Sequence, residues 1–241
     1  MKFVIVHFNT PELTTCLCSS INKFHNDAEI IILDNSNQKP FNTASIFNNV
    51  KVLDNTKEQL FKYDLEHKII NRNSYNNVMK TNNCASAKHS ISIQYLLNTI
   101  NDDFILLDSD VLLKQNISGI INKNCVCSAD VIRNASTLRI APFIVYFNKN
   151  LIKKYNLTFF DNKRMSGLSS PINGSFAAYD TGSSFYEDIT KNELPFNEIK
   201  YTDYVVHYGR GSWKSSRRTF TYKVTPGTFQ EFLLANKSLW A

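Results

Sequence analysis

The chain has 241 residues, 43% of them hydrophobic and 20% charged, which is enough to bury a core and excludes an intrinsically disordered protein. Lysine and arginine number 27 against 21 acidic residues, a net charge of +6. The five cysteines (Cys16, Cys18, Cys84, Cys125, Cys127) fit neither a zinc spacing nor a secreted disulfide framework, so reduced thiols in a cytoplasmic protein are expected.

In chain order, Lys2 to Phe8 is a short apolar run rich in β-branched residues and reads as a buried strand. No signal-peptide core follows Met1, and no run approaches the ~20 apolar residues of a membrane span. Thr10-Pro11-Glu12 reads as a helix start, with Thr10 at the N-cap and the helix ending near Phe24. "EIIIL", residues 29 to 33, is a second buried strand that ends in the turn-forming Asp34-Asn35-Ser36-Asn37. Lys51 to Leu53 is a third short strand, and residues 54 to 80 are polar without clear periodicity. From Asn83 to Ile100 a helical stripe carries Ala85, His89, Ile93, Leu96 or Leu97, and Ile100. Phe104 to Leu107 is the next strand.

Alternating strands and helices imply a mostly parallel, doubly wound α/β sheet in the first half. The second half differs. Val126 to Ile132, Arg139 to Phe147 and Tyr201 to Tyr208 read as strands, residues 156 to 180 as loop, Gly182 to Asn192 as a short helix and Thr225 to Trp240 as a C-terminal helix. One domain spanning 1-241 is expected, with a doubly wound first half (1-115) and a variable second half (116-241).

The chemistry is concentrated at "DDFILLDSDVLL", residues 102 to 113. Asp108 and Asp110 stand one residue apart at the end of an apolar strand. In open α/β sheets, ligands bind beyond the carboxyl ends of the strands, where Asp34, Asn9 and Thr10 also fall. An Asp-x-Asp there can turn both carboxylates to one rim with the middle residue facing away. Hard cations such as Mg²⁺ and Mn²⁺ take one or two such carboxylates together with phosphate oxygens. Alone the motif is weak, since a solvated turn or a helix cap has the same sequence. Asp34 has an equally simple alternative, an Asx-turn that closes its loop.

The first 115 or so residues resemble the GT-A nucleotide-sugar glycosyltransferases, particularly the family-two type of bacterial polysaccharide enzymes. The resemblance rests on "FVIVHFNTPELTTCLCSSI", "EIIILDNSN", "NCASAKHSISIQYLL" and "FILLDSDV", in the family's order and spacing. It implies a GT-A (Rossmann-like) sheet and transfer of a sugar from a nucleotide diphosphate donor, a UDP-sugar first among them. The acceptor would be a hydroxyl of a surface glycan (capsule, O-antigen or lipooligosaccharide), free or lipid-linked. It further implies Mn²⁺ or Mg²⁺ held by Asp108 and Asp110, with Asp110 as the direct ligand and Asp108 also near ribose or sugar hydroxyls. His207 is the candidate third ligand. His7, Asn9, Thr10, Asp34, Lys88, His89 and Ser109 are placed toward the donor.

In the second half, "RIAPFIVYFN", "YDTGSSFYED" and "YVVHYGRGSW" are similar to a subset of those enzymes. Asp180 is the candidate base if the enzyme inverts, with Glu187 and Asp188 as substitutes because no plain Glu-Asp-x-x motif opens a helix at Asp180. "GRGSWKSSRR", residues 209 to 218, offers Trp213 to cover a sugar ring and basic groups for a diphosphate or a membrane surface. A cytoplasmic protein is expected, in peripheral contact with the inner face of the membrane at most. The rivals are a non-catalytic GT-A-like accessory protein, a nucleotidyltransferase, and a nucleic-acid binder. A nucleotidyltransferase would want a glycine-rich basic loop after the first strand, and "HFNTPELTT" has no Gly, Lys or Arg. A nucleic-acid binder rests only on the +6 charge and the basic residues Arg210 to Lys223, with no binding motif, so no nucleic-acid partner is expected.

Overall fold

The computed structural model describes residues 1–62, 84–133, 138–161, 180–209 and 228–241. In chain order the elements are β1 (Lys2–His7), α1 (Pro11–Phe24), β2 (Glu29–Asp34), β3 (Val50–Asp54), α2 (Cys84–Thr99), β4 (Phe104–Asp108), β5 (Val111–Leu113), β6 (Cys127–Ile132) and β7 (Arg139–Phe147). They continue with α3 (Lys149–Lys154), α4 (Ser183–Lys191), β8 (Asn197–Glu198), α5 (Tyr201–Tyr204), β9 (Val205–His207) and α6 (Phe229–Ala235).

Seven strands form one sheet in the order β3-β2-β1-β4-β7-β6-β8. The first four are mutually parallel, β7 runs antiparallel to β4, and β6 antiparallel to β7. The expected α/β sheet, mostly parallel in the first half and different in the second, is thus present. Both faces are covered, which is why the central strands read as unbroken apolar runs. Side chains alternate between faces. Phe3, Ile5, Ile105 and Leu107 pack with α1, β5 and Phe232 of α6, whereas Val4, Leu106, Val145 and Phe147 pack with Ile93, Leu96 and Leu97 of α2 and Phe185 of α4.

Two expectations are revised. Tyr201 to Tyr208 is not one strand. Its first four residues form the single turn α5, whose opening Tyr201 N–H donates to Asp130 Oδ2 at 3.0 Å, and only Val205–His207 is extended. The C-terminal helix is shorter than expected. Thr228 and Glu231 close a reciprocal capping box at its start, and the chain tightens to a 3₁₀ turn over Lys237–Leu239. The loop carrying Trp213 lies outside the described residues from Arg210 onward, as do most of residues 54 to 80 and of 156 to 180.

Gly182 precedes α4 in the left-handed region, at φ +82°. A Cβ there would meet Ile140 Cγ1 at 2.7 Å and the Ile140 carbonyl oxygen at 2.8 Å. The glycine therefore lets the start of α4 sit directly on β7. Gly182→Ala should destabilise the protein by about 2–4 kcal/mol, combining left-handed strain with overpacking. Denaturant unfolding measures this, and an unchanged midpoint would contradict the packing described.

Candidate metal and donor site

The sheet order turns back at β1. The chain leaves β1 toward β2 through α1, while β4 lies on the other side of β1. The carboxyl ends of β1 and β4 therefore flank a crevice of the kind that binds ligands in open α/β sheets. Asp108 closes β4 and Asp110 follows it. The two strand ends are tied directly, since the Thr10 hydroxyl donates to Ser109 Oγ at 3.1 Å. Thr10 thus sits at the N-cap position of α1 without capping it. Ser109 is buried and accepts this hydrogen bond through its hydroxyl oxygen.

β5 starts immediately after Asp110 and pairs antiparallel with β9, with Val111 opposite His207. The Tyr208 N–H donates to the Asp110 carbonyl at 2.9 Å, extending the ribbon by one step. Backbone pairing alone therefore carries His207, 97 residues away in sequence, to the Asp-x-Asp turn. His207 Nε2 lies 3.2 Å from Asp110 Oδ1. Phe143 stacks on the imidazole with ring centroids 4.0 Å apart, and Tyr201 packs edge-on against both rings.

Asp108, Asp110 and His207 each offer one ligand atom, all within 4.8 Å of one another. Opposite oxygen ligands around Mg²⁺ are roughly 4.2 Å apart, so a small contraction would close the set on an ion. Two carboxylates and one imidazole suit Mg²⁺ or Mn²⁺ and leave positions for phosphate oxygens. The electrostatics agree. Burial, then the Asp110 charge, push the Asp108 carboxyl up to about 8, against downward pulls from His207 and Arg139. Burial lowers His207, but the Asp110 carboxylate outweighs it and leaves the imidazole raised. Two carboxylates this close favour a cation between them.

A second group of charges shares the crevice. His89 of α2 places Nε2 3.3 Å from Asp108 Oδ1. Burial depresses His89 to about 4, with the Asp180 and Asp110 carboxylates pulling it upward and Arg139 pushing it down. Arg139 Nη1 lies 2.7 Å from Asp180 Oδ2, and Asp180 Oδ1 accepts the Thr181 N–H at 2.7 Å. Asp180 thus stands just before α4, fixed in orientation and within electrostatic reach of His89. Glu187 lies further along α4 and pairs with Lys191 at 2.6 Å; Asp188 follows it. Arg139 was not singled out from the sequence. The available signal was a lone cation opening the apolar strand "RIAPFIVYF".

The residues expected near the nucleoside hold together the loops after β1 and β2. Asp34 is 2% exposed, and its two oxygens accept the Ser36 N–H at 2.9 Å and the Phe41 N–H at 2.7 Å. This is the Asx-turn alternative. Asn9, at φ +57°, accepts the N–H groups of Gln38 and Lys39 through Oδ1. His7 is fully buried between Thr14 Oγ1 (2.8 Å) and the Lys39 carbonyl (3.4 Å). These three shape the loop 36–41 beside the crevice. Lys88 is half-buried on α2, one residue before His89.

No protein-family model matches the chain, and no curated protein matches it. Solved structures similar to it include a galactosyltransferase LgtC in complex with donor and acceptor sugar analogs. That likeness is 12% identical, covers 83% of this chain and 73% of that one, and has a TM-score of 0.47. The glycosyltransferase GlyE of Streptococcus pneumoniae TIGR4 is 7% identical over 83% of this chain and 45% of its own, at a TM-score of 0.47. A putative glucose-1-phosphate thymidylyltransferase from Bacillus anthracis is 8% identical over 88% and 91%, at 0.45. No helix among the described residues is long and apolar enough to cross a membrane.

The site makes a prediction about pH. Asp108 and His207 both have folded pKa values above their ordinary ones, so the stability each contributes is present at low pH and lost as pH rises. Between pH 6.5 and 8.5 the metal-free protein should therefore lose melting temperature, and Asp108→Asn should flatten that slope. Mn²⁺ competes with these protons, so the melting shift it produces should grow over the same window. A metal-induced shift that shrinks with rising pH would contradict this assignment of the ligands.

Proposed function

We propose that this chain is a divalent-metal-dependent glycosyltransferase. It would transfer one sugar from a nucleotide diphosphate donor, a UDP-sugar first among candidates, to a hydroxyl of a bacterial surface glycan. The observation that carries the reading is the Asp108–Asp110–His207 cluster at the carboxyl ends of β1 and β4, facing the crevice where the sheet order turns back. The resemblance of the first 115 residues to the family-two type points the same way.

The residues divide the work as follows. Asp108, Asp110 and His207 would hold Mn²⁺ or Mg²⁺. That ion, when bound, neutralises the diphosphate and so improves it as a leaving group. The loops 8–10 and 36–41 would receive the nucleoside, with Lys88 toward the phosphates. The acceptor hydroxyl oxygen attacks the anomeric carbon, the bond from that carbon to the phosphate oxygen breaks, and the hydroxyl proton passes to Asp180 if the transfer inverts. Arg139 keeps one Asp180 oxygen oriented. Residues 1–115 would thus serve the donor, and residues 116–241 would supply the third metal ligand and the acceptor side. The sequence of residues 210 to 218, with Trp213 and its basic groups, suits contact with a donor or a lipid-linked acceptor at the membrane surface.

Nucleotidyl transfer is disfavoured. Its chemistry calls for a cationic glycine-rich loop after β1, whereas the loop here is Phe8-Asn9-Thr10, tied down through Asn9 and Thr10.

Two variants separate binding from chemistry. Asp110→Asn should abolish metal-dependent binding of UDP-sugars in calorimetry while keeping the fold; normal donor affinity would defeat the metal clamp. Asp180→Asn should bind donor normally and lose transfer by about 10²–10⁴-fold. Near-normal turnover in that variant would move the base to Glu187 or Asp188.

A further inference from the structure

We propose that His89 is a positioning residue for the metal site: its imidazole holds one oxygen of Asp108 and so aims the other at the cation. This rests on the metal-site reading above and assigns His89 a role other than donor contact. His89 projects from α2, whose apolar stripe Ile93, Leu96, Leu97 and Ile100 is buried against the sheet, so the helix provides a rigid mount. The ring is only 21% exposed, and Nε2 lies 3.3 Å from Asp108 Oδ1. Asp108 is itself 18% exposed, leaving little room for a ligand between the two side chains.

The direction of the interaction follows from the chemistry. An Asp108 that ligates a cation is ionised and can only accept hydrogen bonds, so the tautomer that fits carries its proton on Nε2. With Oδ1 engaged in this way, Oδ2 would be the oxygen presented to the metal. Without His89, the Asp108 side chain could rotate about its carboxylate axis, and the three ligand atoms would no longer be preset. Outer partners of this kind typically contribute 10–100-fold to metal affinity. Asp110 has a different neighbour, His207, which is a ligand in its own right. The two carboxylates are therefore oriented independently, one from α2 and one from β9.

The test is Mn²⁺ binding to the full chain, without nucleotide, by calorimetry. The wild-type protein, His89→Ala and His89→Gln are compared, with melting curves to confirm folding. Gln can place an amide N–H donor at similar reach. His89→Ala should weaken Mn²⁺ binding by about 10–100-fold, and His89→Gln should recover most of that loss. A folded His89→Ala protein that binds Mn²⁺ as the wild type does would overturn the proposal. In a second titration with UDP, a His89→Ala protein of normal Mn²⁺ affinity and weakened UDP binding would likewise overturn it and make His89 a donor contact. A wild-type protein that binds no Mn²⁺ would instead defeat the metal-site reading on which the proposal stands. If His89→Ala fails to fold, His89→Leu, which fills the space without a donor, takes its place: a loss of about 10-fold or more in Mn²⁺ affinity supports the proposal, and wild-type affinity overturns it.

Discussion

Two carboxylates one residue apart, at the buried end of a central strand, repel each other and resist desolvation. That conflict organises this structure. The Asp110 side chain is 10% exposed and that of Asp108 18%, so water screens them poorly. The surroundings are built to manage the charge. His207 approaches Asp110 from β9, His89 approaches Asp108 from α2, and the Arg139 guanidinium lies near enough to favour an ionised Asp108. A divalent cation would complete the neutralisation, and a diphosphate would then find a positive centre at the mouth of the crevice.

The charged cluster draws on both halves of the chain. The strand end that carries the Asp-x-Asp belongs to the first half, but His207 and the Arg139–Asp180 pair come from the second. The β5–β9 ribbon delivers His207 by backbone pairing, and Tyr208, next to it, packs on Phe232 of α6 with ring centroids 5.3 Å apart. Lys23 of α1 donates to the carbonyls of Ser238 and Ala241 at 2.7 Å each, holding the C-terminal segment against the first helix. Gly182 allows α4 to rest on β7, and this sets Asp180 beside Arg139. Long-range tertiary contacts therefore fix the position of nearly every charged group in the crevice.

Much of the frame was legible in the sequence for a simple reason. Strands buried on both faces are unbroken apolar runs, and "FVIV", "EIIIL" and "FILL" could hardly be anything else. The Asp-x-Asp announced itself because two charges at the end of such a run need a purpose. Roles that depend on a partner far away in sequence were harder to read. Thr10 has the right identity and position for an N-cap, yet its hydroxyl is drawn to Ser109, 99 residues on. For Asp34 the sequence left a nucleoside contact and an Asx-turn side by side, and only the fold shows its two oxygens accepting the Ser36 and Phe41 amides. Arg139 gave almost no signal, because only the fold brings it to Asp180. The break between α5 and β9 was hidden for the same reason: Asp130, on another strand, accepts the amide that starts the turn.

The central claim is that the Asp108–Asp110–His207 cluster binds a divalent cation in order to bind a nucleoside diphosphate. The most direct measurement is the melting temperature of the wild-type protein against UDP, GDP, CDP and dTDP, each with and without Mn²⁺. A ligand that binds only the folded state raises stability by mass action. The account predicts a rise with at least one of these nucleotides that appears only when Mn²⁺ is present. A rise with a nucleotide that is the same with and without Mn²⁺, or no rise with any of them, would contradict it.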